Sequence, residues 1–262
     1  MKVAWTNDIH MEFLDENEEI QFVRKVEKSK ADVLLIAGDI AQAVSIKHYL
    51  SRLSSLPMPV YFVLGNHDYY KGSISETRAA VRSLLPVTLN LYWLSESDVF
   101  KLTDDVALIG HDGWADGQFG NYDTTTVELN DFQLIRELRI YSRVERLQKM
   151  KQLADEAAEH FRRVLPETAW AKHIIVVTHV PPWKEAAWHG GKHSELDWLP
   201  FFSSKVIGEV LAGYMNEHLD QKMTVLCGHT HGGGKAQILP NLLCLTGKAD
   251  YGQPRLQKVI EL

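Results

Sequence analysis

Short apolar runs recur along the chain, separated by longer stretches in which apolar residues return every three or four positions. Six runs are rich in valine and isoleucine and too short for buried helices, so they predict strands at residues 3–5, 33–37, 60–64, 106–109, 174–178 and 224–227. The periodic stretches predict helices at residues 18–28, 46–56, 75–85, 138–165 and 206–219. Strands that alternate with helices indicate an α/β fold with largely parallel strand pairing.

Two segments interrupt this alternation and are longer than typical connections. Residues 110–134 are polar and turn-rich, and residues 181–202 are rich in proline and tryptophan. Long loops in compact domains are often functional. We expect both to be loop insertions in a single domain of residues 1–262, forming a rim that faces the substrate. The alternative is that they are surface excursions with a small core of their own.

Composition narrows the class of protein. With 262 residues, 45% hydrophobic and 24% charged, the chain has ample material for a globular core. Its net charge of −6 argues against a general nucleic-acid binder, which normally carries a basic face. Cys227 and Cys244 provide no disulfide framework. There is no signal-peptide pattern and no apolar run of the ~20 residues that a membrane span needs, so a cytoplasmic protein without a membrane partner is expected.

Metal-binding and acid–base side chains follow five of the six predicted strands. In parallel α/β sheets ligands bind beyond the carboxyl ends of strands, so these side chains are expected to converge. Any one of them alone is typical of an ordinary turn, but five in the same position relative to a strand predict a site. The five blocks are Asp8-x-His10, Gly38-Asp39, Gly65-Asn66-His67-Asp68, His179 and Gly228-His229-Thr230-His231.

The donor atoms of these blocks indicate the kind of metal. Imidazole combined with carboxylate, without thiolate, suits Mn, Fe, Zn, Ni or Co. There are too many ligands for one ion and enough for two. Two divalent ions ~3.5–4 Å apart are a common device for cleaving phosphate esters. Such a pair needs a bridging carboxylate, and Asp39 is the natural candidate.

The stretch LCGHTHGGGK at residues 226–235 also invites comparison with a phosphate-binding loop. That motif requires Gly-x4-Gly-Lys followed by serine or threonine and a helix. Here Ala236 stands where the hydroxyl residue would be, and a strand-like AQIL follows. We therefore interpret the stretch as part of a metal site.

The five blocks, in this order over residues 8–231, resemble those of the calcineurin-like metallophosphoesterases, in particular the small bacterial-type phosphodiesterases and phosphatases. The resemblance implies an αββα sandwich of four layers, with two mixed sheets flanked by helices and a dinuclear metal site at the strand ends. It also implies two ligand sets that share one carboxylate. These sets are Asp8, His10, Asp39 and His231 for one ion, and Asp39, Asn66, His179 and His229 for the other.

The same resemblance implies a mechanism of metal-dependent phosphate ester hydrolysis. The two metal ions activate a bridging water as hydroxide, placed in line with the P–O bond. His67 is not a ligand and is suited to protonate the leaving oxygen. Asp68 is expected to orient the His67 ring, with plain turn chemistry as the alternative.

The two long segments are expected to determine which substrate is bound. Tryptophan and tyrosine side chains can stack on a base, and the equal alternative for the tryptophans is a role as buried anchors. The residues expected to contact substrate are Asp112, Trp114, Tyr122, His189 and His193.

A phosphodiesterase acting on a small, nucleotide-like substrate is the function that best fits these features. A phosphomonoesterase or a dinucleoside-polyphosphate hydrolase is the alternative, and a non-catalytic metal-binding scaffold is a remote one. A protein phosphatase is disfavoured because Asp39 lacks the x-His-Gly continuation and the histidine block ends in Asp68. The oligomeric state has no signature in the sequence.

Overall fold

The structure is a computed structural model that describes residues 1–140 and 142–262. Its strands, in chain order, are β1 Lys2–Thr6, β2 Val33–Ala37, β3 Val60–Val63, β4 Leu91–Trp93, β5 Phe100–Thr103, β6 Val106–His111, β7 His173–Thr178, β8 Trp188–His189, β9 Lys192–His193, β10 Lys222–Cys227, β11 Gly234–Leu239, β12 Leu242–Thr246 and β13 Lys258–Glu261. Its α-helices are α1 Glu16–Lys28, α2 Ile46–Leu53, α3 Ile74–Leu84, α4 Asp131–Leu134, α5 Arg143–Val164, α6 Leu199–Phe202 and α7 Lys205–Glu217. None of the helices in these two ranges has the length and hydrophobicity that crossing a bilayer requires.

Two large mixed sheets form the centre of the protein. The first has the order β13-β1-β2-β3-β4, parallel except that β13 pairs antiparallel with β1. The second has the order β11-β12-β10-β7-β6-β5, in which the outer strands β11 and β5 run antiparallel to their neighbours. The antiparallel pairs lie at the sheet edges, so the parallel pairing expected from sequence is correct for the central strands.

Alternation of side chains along the strands produces four layers. Trp5 and Leu35 of the first sheet and Leu108 and Val177 of the second belong to one buried cluster between the sheets. The outward-facing neighbours pack with helices α1–α3 on one side and with α5 and α7 on the other. Strands covered on both faces read as continuous apolar runs, which is why they stand out in the sequence. The αββα architecture is confirmed.

All six predicted strands and all five predicted helices are present, with shifted bounds. The long helix begins at Arg143 instead of residue 138, because Arg136–Leu138 forms a separate 3₁₀ turn. Serine side chains cap helices α3 and α5 by accepting hydrogen bonds from the backbone three residues on. The sequence did not predict the edge strands β4, β5 and β13, the strand β12 that lies between β11 and β10, or the short hairpin of β8 and β9.

The two long segments pack against each other. The backbone of Gly117 donates to Pro200 at 3.1 Å, and that of Asn121 donates to Leu196 at 3.0 Å. The ring of Phe201 lies 5.6 Å from that of Phe132. Residues 110–134 and 181–202 therefore support each other beside the strand ends; that they are insertions in one domain stays a prediction.

Two buried histidines join helix α5 to the second sheet. The rings of His111, at the end of β6, and His160, in α5, lie 5.1 Å apart. The backbone N–H of Gly113 donates to His111 Nδ1, which requires that nitrogen to be an acceptor. Burial lowers the pKa of His111 to about 3. Burial, aided by the charge of Arg163, lowers the pKa of His160 to about 4.

These histidines make stability fall in weak acid. A histidine whose pKa is lower in the folded than in the unfolded protein keeps its full contribution above pH ~6.5 and loses it as the pH falls toward the folded pKa. Each of the two histidines is expected to lower the free energy of unfolding by about 2 kcal/mol when the pH falls from 6.5 to 5.0. The amide oxygen of His111→Asn can still accept from Gly113. In this variant the decrease in unfolding free energy between pH 6.5 and 5.0 should be smaller than in wild type by the contribution of one histidine. Denaturant unfolding of metal-free protein at both pH values measures it; an unchanged drop contradicts the assignment.

Candidate metal centre

The expected site residues converge where the two sheets meet. Asp8 and His10 follow β1, Asp39 follows β2, and Asn66 follows β3, all in the first sheet. The second sheet contributes side chains that follow β7 and β10, namely His179, His229 and His231. Because β1–β3, β7 and β10 all present their carboxyl ends at one side, residues more than 220 positions apart come together.

Four of these side chains form a first cluster. The donor atoms of Asp8, His10, Asp39 and His231 lie within 4.8 Å of one another. His231 Nε2 is 3.3 Å from His10 Nε2 and 3.6 Å from Asp8 Oδ1. His10 Nε2 lies 3.8 Å from Asp39 Oδ2. Two carboxylates and two imidazoles at these distances fit one divalent cation.

A second cluster adjoins the first and includes Asp39. The side-chain oxygen of Asn66 lies 3.0 Å from His179 Nε2 and 2.9 Å from His229 Nδ1. The other carboxylate oxygen of Asp39, Oδ1, is 3.4 Å from His179 Nε2. Asp39 thus presents one oxygen to each cluster, which is the arrangement that a bridging carboxylate requires.

Backbone strain concentrates at these residues. A non-glycine residue with positive φ is uncommon, and such residues cluster at functional sites. Seven non-glycine residues of the described chain have positive φ, and five belong to the two clusters. Their φ angles are 47° for Asp8, 43° for His10, 52° for Asp39, 71° for His229 and 59° for His231.

Two glycines allow the backbone to approach the carboxylates. A Cβ atom on Gly65 would overlap Asp39 Oδ1, and one on Gly228 would overlap Asp8 Oδ2. No side chain can therefore replace either glycine without moving a carboxylate. The glycines of the GNHD and GHTH blocks serve this close approach, as expected for a metal site.

Electrostatics favour cations at this position. Burial raises the pKa of Asp39 well above its usual range, and the negative charges of Asp8 and Asp68 raise it further. Burial also opposes ionisation of Asp8, but His179, His231 and His10 outweigh it and lower the pKa of Asp8. Burial lowers the pKa of His229 to about 3, so its ring is neutral and free to act as a ligand. Buried carboxylates beside neutral imidazoles are stabilised by bound cations, so the residues fit a dinuclear metal centre.

His67 lies beside the clusters at the wall of a cleft. Its ring stacks on Tyr70 at 4.1 Å between centroids and lies 4.6 Å from the ring of His10. Burial, together with repulsion from the neighbouring histidines, lowers the pKa of His67. A neutral ring retains one N–H, which can donate to an oxygen in the cleft.

Asp68 does not orient the His67 ring, which corrects the expectation from sequence. One carboxylate oxygen accepts from the backbone of Ile40 and Ala41, both at 2.8 Å, and the other accepts from Gly65 at 2.7 Å. Among the described residues no hydrogen bond joins Asp68 to the imidazole of His67. Asp68 instead ties the loop after β2 to the loop after β3, which is the turn role that was the alternative.

Asp112 is also corrected from a substrate contact to a structural residue. It is buried, which by itself would raise the pKa of Asp112, but the charges of Arg78 and His111 together with hydrogen bonds from Ser95 and Leu64 hold that pKa below its usual range. Its carboxylate accepts four hydrogen bonds from groups that fix the strand ends. The donors are Leu64 N at 2.7 Å, Trp93 Nε1 at 2.8 Å, Ser95 Oγ at 2.6 Å and Tyr69 Oη at 2.9 Å.

Trp114 and Tyr122 are buried anchors and not cleft residues. Trp114 packs in the core with its ring 6.0 Å from that of Tyr69. The hydroxyl of Tyr122 donates to the backbone oxygen of Arg143 at 2.8 Å. Burial leaves neither ring available to a substrate. Trp114 has the anchor role that was the alternative for the tryptophans, whereas no such alternative was expected for Tyr122.

The two remaining candidates have different positions. His189 is exposed at the cleft, and its Nδ1 lies 3.0 Å from the backbone oxygen of Thr230. His193 is exposed and packs on Trp188 at 3.9 Å, outside the cleft lining. His189 stays a predicted substrate contact, whereas His193 is not among the residues that line the cleft.

Three further residues beside the centre were not predicted from the sequence. Glu12 lies 3.8 Å from His10 Nδ1, on the side of the ring away from the cluster, where a carboxylate commonly orients a metal-binding histidine. Tyr251 covers the centre, with its ring 4.6 Å from that of His10. Asp131 accepts from the side-chain amide of Asn66 at 2.8 Å. Proximity to His10 could have indicated Glu12, but the other two had no sequence signal.

Comparison with known proteins identifies the type of site. The sequence profile of calcineurin-like phosphoesterases matches residues 1–233. An uncharacterized protein of Acanthamoeba polyphaga mimivirus is 21% identical over 97% of this chain and 92% of its own. An uncharacterized metallophosphoesterase of Campylobacter jejuni is 31% identical, but only over 28% of this chain and 21% of its own.

Solved structures share the fold at low sequence identity. A dimetal phosphatase from Danio rerio has a TM-score of 0.60 and 12% identity, covering 95% of this chain and 87% of its own. A Thermus thermophilus protein has a TM-score of 0.58 and 14% identity, covering 96% of this chain and 90% of its own. At these identities the likeness establishes the arrangement of strands and helices.

The structural role of Asp112 makes a testable distinction. Asp112→Ala leaves four buried donors without an acceptor, so it should lower the free energy of unfolding by at least about 3 kcal/mol. His193→Ala is the control, since that ring is exposed and should change stability by less than about 0.5 kcal/mol. Denaturant unfolding measures both. An Asp112→Ala protein of wild-type stability with a raised KM would restore the substrate-contact role.

Proposed function

This chain belongs to the calcineurin-like phosphoesterase family, and from that premise we propose that it hydrolyses phosphodiesters with a nucleotide-like arm. Membership makes it a phosphoric ester hydrolase that uses two divalent metal ions. The choice between diester and monoester rests on the shape and charge of the surface around the metal centre.

The absence of a cationic side chain from the cleft carries the proposal. The cleft has a volume of about 240 Å³, and none of its lining residues in the described chain is lysine or arginine. It is lined by Asn66, His67, Tyr70, Leu129, Asn130, Asp131, His189, Trp198, Phe202, His229, Thr230, His231 and Tyr251. A phosphomonoester carries about −1.5 to −2 charges at neutral pH, and arginine or lysine commonly clamps such groups. A diester carries one charge and needs no clamp beyond the metal ions.

A second cavity, which we call the side groove, adjoins the cleft. Its volume is about 470 Å³, and it shares His189, His231 and Tyr251 with the cleft. Its remaining lining is glycine-rich and includes Lys248. Two cavities that meet at the metal centre suit a phosphate with two substituents, one in each direction.

Aromatic side chains border the cleft and favour a planar group on the substrate. On one side of the cleft lies Tyr251, which is 51% exposed. On the other side the rings of His189 and Trp198 lie nearly parallel at 6.1 Å, and Phe202 lies 5.6 Å from His189. Stacking of a base on an aromatic side chain contributes ~1–3 kcal/mol, enough to select a nucleotide-like arm.

The site residues receive roles within this proposal. When bound, two divalent cations supply Lewis-acid chemistry that stabilises charge on the phosphoryl oxygens and allows water to act as a nucleophile at neutral pH. The proposed ligand sets are Asp8, His10, Asp39 and His231 for one cation, and Asp39, Asn66, His179 and His229 for the other. His67, whose ring borders the cleft, is the general acid: as imidazolium beside the bound phosphate anion it gives one proton to the oxygen of the leaving alcohol and returns to the neutral imidazole.

The substrate preference follows from a cleft lining that contains no lysine or arginine among the described residues. With Mn²⁺-reconstituted protein, we expect kcat/KM for bis-p-nitrophenyl phosphate to exceed that for p-nitrophenyl phosphate by at least ~10-fold, because the monoester dianion finds no lysine or arginine in the cleft. Parallel assays with cyclic nucleotides and dinucleoside polyphosphates locate the preferred arm. A higher kcat/KM for the monoester contradicts the diester proposal, and no turnover of any ester with any of the metals contradicts hydrolysis itself.

Metal binding and proton donation should separate in two variants. Asp39→Asn removes the carboxylate that both clusters share, so the protein should retain less than one ion per chain. His67→Asn should keep both ions and lower kcat by ~10²–10⁴-fold, the usual contribution of a general acid. Elemental analysis after gel filtration, combined with steady-state kinetics, measures both effects. Loss of metal from His67→Asn would contradict its role as a proton donor.

A further inference from the structure

The side-chain amide of Asn66 has two ends that must not be exchanged. Its oxygen faces His179 Nε2 and His229 Nδ1, at 3.0 and 2.9 Å. Its nitrogen points the other way and donates to Asp131 Oδ1 at 2.8 Å and, at the longer distance of 3.3 Å, to the hydroxyl of Tyr70. A rotation of 180° would exchange the two and turn the amide hydrogens toward the cluster, where they would repel a cation. The orientation of an amide is set by its hydrogen-bond partners.

Asp131 is a fixed acceptor for this amide. It is 4% exposed, and its Oδ1 also accepts from the hydroxyl of Tyr70 at 2.6 Å. Asp131 is the first residue of helix α4, and a backbone hydrogen bond attaches this helix to the loop after β3. The backbone N–H of Lys71 donates to the backbone oxygen of Leu134 at 2.9 Å. The carboxylate is therefore held in place from both sides of the contact.

We propose that Asp131 is a positioning residue that keeps the oxygen of Asn66 directed at the second cluster. Asp131 Oδ1 accepts hydrogen bonds from both the Asn66 amide and the Tyr70 hydroxyl, so this oxygen selects the amide nitrogen and rejects the amide oxygen. In the flipped amide, the oxygen of Asn66 would face the carboxylate oxygen of Asp131. Two hydrogen-bond acceptors that face each other in a buried place are strongly unfavourable. Through this contact the 110–134 segment acts on the metal centre.

This proposal rests on the ligand sets of the proposed function and concerns one cation more than the other. Asn66 contacts only the second cluster, which contains His179 and His229. Loss of the amide anchor should therefore weaken the cation held there and spare the one held by Asp8, His10 and His231. Removing the partner that orients a metal ligand typically lowers metal affinity by ~10–100-fold.

The test is calorimetric titration of metal-free protein with Mn²⁺, in the absence of any substrate. Wild type should bind two ions. Asp131→Leu, which has no acceptor, should bind one of them ~10–100-fold more weakly and the other with unchanged affinity. Asp131→Asn, which retains an acceptor oxygen, and Tyr70→Phe, which retains Asp131, should stay within about 3-fold of wild type at both. Two unchanged affinities in Asp131→Leu, or equal losses at both ions, would overturn the proposal.

A second measurement covers the case in which Asp131→Leu does not fold. In Asn66→Asp two carboxylates face each other, so the metal-free protein should melt at a lower temperature than wild type. Adding D131N to N66D supplies a donor and should recover stability, although D131N does not stabilise the wild-type background. If D131N has the same effect in both backgrounds, the two side chains are not coupled and the proposal fails. A wild type that binds fewer than two ions would instead contradict the proposed ligand sets.

Discussion

Two carboxylates held close together inside the protein are the constraint on which the site depends. Asp8 and Asp39 are each at most 2% exposed, and their ion-pair partners in the described residues are histidines, with no lysine or arginine among them. Such a pair is costly unless cations accompany it, because burial disfavours the charged form. Left-handed backbone at both aspartates and close approach of Gly65 and Gly228 maintain this arrangement. These features lower the stability of the metal-free protein, and binding of the metal ions restores it.

Much of this arrangement can be predicted from sequence, for a physical reason. Central parallel strands are buried on both faces, so they read as uninterrupted runs of valine, isoleucine and leucine. The residues that follow each run must lie at the same edge of the sheet, and this places Asp39, Asn66 and His179 together without knowledge of their contacts. The resemblance to the phosphoesterase family supplied what periodicity could not, namely the division into two sheets.

Other features depend on partners that are distant in the chain and leave no local pattern. Edge strands such as β4 and β13 are short and only partly buried, so their sequences lack a continuous apolar run. Asp112 resembles a cleft residue because it follows a strand, but its four donors come from distant positions. Asp131 and Tyr251 reach the site through the folding of the 110–134 segment and of the C-terminal residues. A carboxylate that serves the fold and one that serves a metal centre look alike until their neighbours are known.

The proposed metal centre consists of two separate cation positions that share Asp39. Anomalous diffraction from crystals of the Mn²⁺-loaded protein tests it most directly. Two anomalous peaks are expected, each with an oxygen of Asp39 next to it. One should lie among Asp8, His10 and His231, and the other among Asn66, His179 and His229. Glu12, His10 and His67 form a competing group whose donor atoms lie within 4.8 Å of one another. A single peak, or a second peak at that competing group, would contradict the account.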